Sequence, residues 1–227
     1  DDVEGAVIAT SEARPTDGMI KHALARFVGE IAQIPPKYSA VKIDGARAYD
    51  RARDGQDFEI APRPLWVEEL TLVDRPDEDH AVLHMVCGKG GYVRSIARDL
   101  GEALGCYGHV KTLHRVWSGP FADSDALAYD DLERLAGSEA LTAYLRPLEN
   151  GLDALPRMIC SETEAMRLRN GNPGAVSGEA LEYGDECWAA HDDQAIAVGR
   201  YRAGLLHPTR VFVKTKHEDY AETPAGA

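Results

Sequence analysis

The chain has 227 residues, 44% of them hydrophobic and 28% charged, enough for one large domain and one small one. No run of about 18 apolar residues occurs, so no helical membrane span is expected, and no basic segment leads into an apolar stretch as in a secretory signal. The net charge of −13 argues against a surface that is basic throughout, although 12 Lys and Arg nearly balance 13 Asp and Glu over residues 37–115.

The chain opens on Asp-Asp-Val-Glu-Gly with no initiator methionine, which reads as a piece cut from something longer. Val7 to Ala9 suggests a short strand. Thr16 or Asp17 can cap a helix whose apolar positions Ile20, Leu24, Phe27, Val28 and Ile31 keep helical spacing, with Pro35-Pro36 as the stop. Residues 37–63 are polar and rich in Lys, Arg and Tyr, with glycine turns at Asp44-Gly45 and Asp54-Gly55 and a short basic helix over Arg47 to Arg53. Leu65 to Val73 and Ala81 to Cys87 predict a hairpin. A helix after Tyr92 places Val93, Ile96, Ala97, Leu100 and Leu104 on one face and ends at Gly105; Arg98 and Glu102 are spaced to pair along it. Val110 to Trp117 predicts a further strand and Asp130 to Leu145 a helix. Arg146 to Arg157 reads as a linker. Ser161 and Glu164 form a capping-box pattern for a helix that Gly171 ends. Short strands follow to Val213, and residues 216–227 read as a disordered tail.

The chemistry concentrates in Cys87 to Leu104, "CGKGGYVRSIARDLGEAL". Its glycine turn fits neither a phosphate-binding G-x-x-x-x-G-K-[ST] loop nor a dinucleotide G-x-G-x-x-G turn, where Val93 would have to be glycine. Glycines that let a strand turn sharply into a helix explain the turn, but not why Tyr92 and Arg94 accompany it. Cys87, Cys106, Cys160 and Cys187 are widely spaced without a C-x-x-C pair, as expected of free thiols in a reducing cytosol.

Together with "IPPKYSAVKIDGARAYDRARDG" at residues 34–55 and "GCYGHVKTLHRV" at residues 105–116, this stretch resembles the TruB family of tRNA pseudouridine synthases. The resemblance implies an α+β fold: a mixed, mainly antiparallel sheet with flanking helices and a small, mostly-β PUA-like C-terminal domain. Residues 1–146 would be the C-terminal part of the catalytic domain, with 37–63 its RNA-contacting insertion, 147–157 a linker and 158–215 the PUA-like domain. The implied reaction isomerises a uridine in the tRNA T-loop, after the base is flipped out, by attack of an aspartate. It calls for no metal or organic cofactor, and a cytoplasmic monomer acting on tRNA is expected.

By the same resemblance Arg94 is the catalytic aspartate's ion-pair partner, which would lower its pKa by about 1–3. Tyr92 and Leu113 line the pocket of the flipped base. Tyr38, Lys42, Arg47, Tyr49, Lys89, Lys111, Arg115 and Arg167 contact RNA, where alternating aromatics and cations suit looped strands. The family's nucleophile lies in Gly-x-Leu-Asp-x-x-Ala-x-Gly, a motif expected upstream of this chain; Asp2 and Gly5 match the tail of a later family element. Gly151-Leu152-Asp153 imitates part of the motif, but follows Arg94 in chain order and lacks the Ala-x-Gly, so Asp153 is not expected to serve. The chain alone is expected to be inactive. A non-catalytic RNA-binding module and a small-molecule phosphotransferase are the competing readings.

Overall fold

The computed structural model describes residues 6–43 and 45–212; Asp2, Gly5, Asp44 and the tail from residue 213 lie outside them. Two units emerge, residues 1–114 and 115–227.

In the first unit, helix α1 (Asp17–Leu24) starts where Thr16 accepts a hydrogen bond from the Met19 N–H, as expected of a threonine N-cap. It does not run to the prolines. A short 3-10 turn over Ala25–Phe27 follows, then Gly29 at φ +93, and strand β1 (Gly29–Gln33) begins. Ile31 therefore belongs to a strand, not to the helix its spacing suggested. The chain is already extended at Val28, and Gly29, at a positive φ that an α-helix cannot contain, completes the turn into the strand.

Strands β2 (Lys42–Ile43) and β3 (Ala46–Arg47) form a small ribbon that leads into helix α2 (Ala48–Arg53). Strands β4 (Arg63–Asp74) and β5 (Val82–Cys87) are the expected hairpin, and the sheet order is β1-β4-β5, antiparallel throughout. Helix α3 (Val93–Ala103) follows the glycine turn and terminates at Gly105 with φ +71. Ile20, Leu24, Leu65, Val67, Leu70, Ile96 and Leu100 form one core cluster, so α1 and α3 both pack against β4. Each fully buried aliphatic there contributes about 1.5–3 kcal/mol.

Two expected strands do not form along their length, although Val110 makes a single bridge and Trp117 begins a later strand. Residues 6–16 have no regular structure, with Val7 and Ile8 exposed. Residues 111–116 are likewise irregular and exposed; an apolar β-rich run needs a neighbouring ladder, and here the Val116 carbonyl accepts the Asp123 N–H at 2.8 Å, but among the described residues no ladder runs along them.

The second unit opens with a hairpin of β6 (Trp117–Ser118) and β7 (Phe121–Ala122). The helix expected over 130–145 is cut into α4 (Tyr129–Leu135) and a 3-10 stretch (Glu139–Tyr144), separated by Gly137 at φ +76. Within residues 147–157, expected as a linker, Leu152 and Leu155 contribute to this unit's packing. Leu152 is buried beside Trp188 and Ala190, and Glu149 Oε1 accepts the Ala195 N–H at 2.7 Å.

The remaining strands are β8 (Arg157–Ile159), β9 (Gly174–Ala175), β10 (Ser177–Gly178), β11 (Glu186–His191), β12 (Gln194–Arg202) and β13 (Leu205–Val211). They form a six-stranded sheet in the order β10-β8-β11-β12-β13-β9, with β8 and β11 parallel. Helix α5 (Glu162–Arg169) covers it through Ala165 and Leu168, against Met158, Ile196 and Leu206. Ser161 caps α5 as expected, accepting the Glu164 N–H. The reciprocal arm of the capping box is not formed, because Glu164 Oε2 instead accepts the Ala175 N–H at 2.7 Å. The architecture is α+β with a β-rich C-terminal region. Among the described residues no helix is long and apolar enough to cross a membrane.

Candidate functional site

The site is built where β1 leaves the sheet and α3 begins. Strand alternation turns Ile31 and Gln33 inward, and Gln33 is buried to 3% exposure. Its amide meets both backbone polar groups of Tyr92, the N-cap residue of α3. The Tyr92 N–H donates to Gln33 Oε1 at 2.8 Å, and Gln33 Nε2 donates to the Tyr92 carbonyl at 3.1 Å. One turn on, the Ser95 hydroxyl and Arg98 Nη2 both donate to the Ile34 carbonyl, at 2.7 and 2.9 Å. Arg98 also pairs with Asp99 at 2.7 Å, where its spacing had suggested Glu102.

Arg94 is half-buried on the first turn of α3. Its Nη2 donates to the Tyr38 carbonyl at 3.1 Å. The guanidinium is thus tied to the loop that carries the other basic and aromatic side chains.

That loop is not a loosely solvated excursion. Pro35, Pro36, Ser39, Val41 and Ala48 are buried. The first N–H groups of α2, which a helix leaves without intrahelical partners, donate back into it: Ala48 to the Val41 carbonyl at 2.7 Å and Tyr49 to the Ser39 carbonyl at 3.1 Å. On this frame Lys42 and Arg47 stand directly opposite each other across the β2–β3 ribbon, both exposed. Like charges so placed repel, and an anion would relieve them. Arg47 and Arg53 flank the Tyr49 ring at 5.7 and 5.4 Å, and Arg47 Nη1 donates to the Tyr49 hydroxyl at 3.0 Å. The Tyr38 side chain is exposed.

The other expected site residues sit on other segments of the chain. Lys89 is exposed on the glycine turn. Lys111 Nζ contacts His80 Nε2 at 2.9 Å, while His80 Nδ1 faces Asp77 at 2.7 Å. The hydrogen bond from His80 holds the Asp77 carboxyl below its ordinary value. Leu113 is 61% exposed, in an irregular run rather than on a strand. In the second unit Arg115 is exposed, and Arg167 donates to the Pro173 carbonyl at 3.1 Å, closing the turn after α5. Asp153 borders a cleft of about 430 Å³ with Arg146, Glu149, Arg157, Trp188 and Asp193. The arginines of that cleft are engaged, Arg146 with Asp125 at 2.8 Å and Arg157 with Asp193.

Gln33 and Ser95 were not apparent from the sequence. The available signal was a polar residue on the inward phase of "GEIAQ", visible only once Gly29–Gln33 is known to be a strand.

Two family models match end to end: a TruB family pseudouridylate synthase N-terminal domain over residues 1–93 and a tRNA pseudouridylate synthase B C-terminal domain over residues 94–153. A protein of Ruegeria pomeroyi called tRNA pseudouridine synthase B is 62% identical over 94% of this chain and 71% of its own length. The chain belongs to the TruB family of pseudouridylate synthases.

A Dinoroseobacter shibae protein of the same name is 61% identical over 93% of this chain and 70% of its own length. The fold is shared with solved structures. One, of a Cbf5-Nop10-Gar1 complex, has a TM-score of 0.63 at 23% identity, covering 84% of this chain and 56% of that one. Another, of an H/ACA RNP bound to a substrate RNA containing 2'-deoxyuridine, has a TM-score of 0.66 at 17% identity and covers 90% and 64%.

Proposed function

We propose that this TruB-family chain acts in converting uridine to pseudouridine in the T-loop of tRNA, with Arg94 as the partner of the attacking aspartate. The reaction breaks the bond from ribose C1′ to the uracil, turns the base and rejoins it through C5, whose hydrogen is lost while the former glycosidic nitrogen gains one. A single carboxylate suffices as nucleophile. A guanidinium beside it keeps it ionised and aimed, and Tyr92 offers a stacking surface for a flipped base.

The observation that carries this reading is the hydrogen bond from Arg94 to the Tyr38 carbonyl. It joins the helix-borne guanidinium to a loop where Lys42, Arg47 and Tyr49 form a charged, aromatic face. Such a face suits the phosphates and unstacked bases of a looped RNA, and it makes the −13 net charge a poor guide to this surface. The β-rich C-terminal region, read as PUA-like, would extend the RNA contact. The attacking carboxylate is read as the aspartate of the family's Gly-x-Leu-Asp-x-x-Ala-x-Gly motif and not as Asp153.

The test is binding of a T-arm minihelix by this chain, against a hairpin of equal length with a scrambled loop. Preference for the T-arm is expected, with the logarithm of the affinity falling by about 0.7 per neutralised phosphate against the logarithm of salt. Equal affinity for the two hairpins would contradict the reading. By itself the chain is expected to form no pseudouridine in the bound RNA.

A further inference from the structure

We infer that Gln33 is a positioning residue for the reaction: its buried amide fixes the backbone of Tyr92 and thereby sets the direction in which Tyr92 and Arg94 leave the start of α3. The inference rests on the function proposed for Arg94.

Its two hydrogen bonds both go to one residue, one to the N–H and one to the carbonyl of Tyr92. This pairing fixes the amide orientation, because only the oxygen can accept from the N–H and only the nitrogen can donate to the carbonyl. Tyr92 has φ −109 and ψ 105, an extended conformation immediately before the helix, and α3 lacks a side-chain N-cap. Gln33 therefore accepts from the N-cap N–H, the contact that a Glu or Gln at the third helical position makes in a capping box. The strand-borne amide and the helix-borne Ser95 and Arg98 together bind residues 33–34 to the first two turns of α3. Arg94 sits inside this frame and reaches Tyr38 from it.

A purely structural glutamine would satisfy buried polar groups and affect stability alone. A positioning glutamine predicts a rate effect that depends on its ability to donate. Glutamate supplies the distinction, since it can accept from the Tyr92 N–H in either form but can donate to the Tyr92 carbonyl only when protonated.

The experiment measures kcat and KM for a T-arm minihelix with the catalytically complete protein, comparing Gln33→Leu, Gln33→Glu and Arg94→Ala with the unchanged protein. Gln33→Leu should lower kcat by about 10- to 100-fold, the scale of a small misplacement of reacting groups, with KM within about twofold. Gln33→Glu should be impaired at neutral pH and recover toward the unchanged protein as pH falls. Should Gln33→Leu fail to fold, the pH profile of Gln33→Glu carries the test. Unchanged kcat in both variants, a loss confined to KM, or a Gln33→Glu defect indifferent to pH would overturn the inference. If Arg94→Ala is itself without effect, the function proposed for Arg94 has failed; if only the Gln33 variants are without effect, the inference alone has failed.

Discussion

Arg94 on α3 and Tyr38 in the loop before β2 are joined by a 3.1 Å hydrogen bond from guanidinium to backbone carbonyl, across 56 positions of sequence. The group expected to orient the nucleophile and the segment expected to hold RNA are therefore mechanically coupled. Arg94→Ala should speed amide exchange at Ala48 and Tyr49, whose N–H groups are held by the Val41 and Ser39 carbonyls. Arg94→Lys should restore only part of the protection, because an ammonium lacks the planar fork of a guanidinium. Exchange unchanged by Arg94→Ala would show that the loop stands without it.

Lys42 and Arg47 oppose each other across the β2–β3 ribbon. Replacing either with alanine should flatten the salt dependence of T-arm binding by about 0.7 in log–log slope if it neutralises one phosphate. Lys42→Ala also relieves a like-charge pair, so its melting temperature should hold or rise slightly, whereas Arg47→Ala also loses the bond to the Tyr49 hydroxyl. A lower melting temperature with an unaltered salt slope would assign these side chains to the fold instead.

Helix α3 is seated by a close backbone approach. A Cβ on Gly101 would lie 2.5 Å from the Gly108 nitrogen and 2.8 Å from the Tyr107 carbonyl carbon. Both neighbours are backbone, so the helix itself must move. Gly101→Ala should cost about 1–3 kcal/mol in denaturant unfolding. At Gly105 a Cβ would meet nothing within 4 Å, but φ is +71, so Gly105→Ala should cost about 1 kcal/mol through strain alone. A Gly105→Ala cost exceeding that of Gly101→Ala would contradict this packing.

Burial pushes the Cys187 thiol up to about 11, with Asp185 adding to the rise, and burial also raises Cys160. Thiolate is the reactive form. In the folded protein at mildly alkaline pH, Cys106, which is only half-buried, should alkylate well before either. Peptide mapping after a short iodoacetamide pulse checks this, and denaturation should erase the difference. Equal labelling of all three in the folded state would mean that the sheet of the second unit is loosely formed.

Local signals were readable where they agreed with the packing. The Tyr92–Gly105 helix carries its own face and its own stop, and the β4–β5 hairpin its own turn. The basic, aromatic stretch at residues 37–53 also announced itself in the sequence. Positions decided by distant partners were hidden. Ile31 keeps helical spacing with Leu24 and Phe27, yet Gly29 and the pairing of Ile31 with Leu65 place it in a strand. Residues 111–116 look strand-like in composition but lack a ladder among the described residues. Gln33 was invisible because its importance lies in a contact with Tyr92, 59 positions away. Pro147, Gly151 and Pro156 suggest a linker, whereas the burial of Leu152 between them depends on Trp188 and Ala190.

In the proposed reaction the Arg94 guanidinium serves the isomerisation itself. Tritium release from a T-arm minihelix labelled at C5 of its uridines, measured with the catalytically complete protein, tests this most directly. Arg94→Ala should slow release by about 10²–10³-fold, the scale for losing one group that stabilises charge at a reacting centre, while minihelix affinity changes little. Release at the unaltered rate would contradict the account.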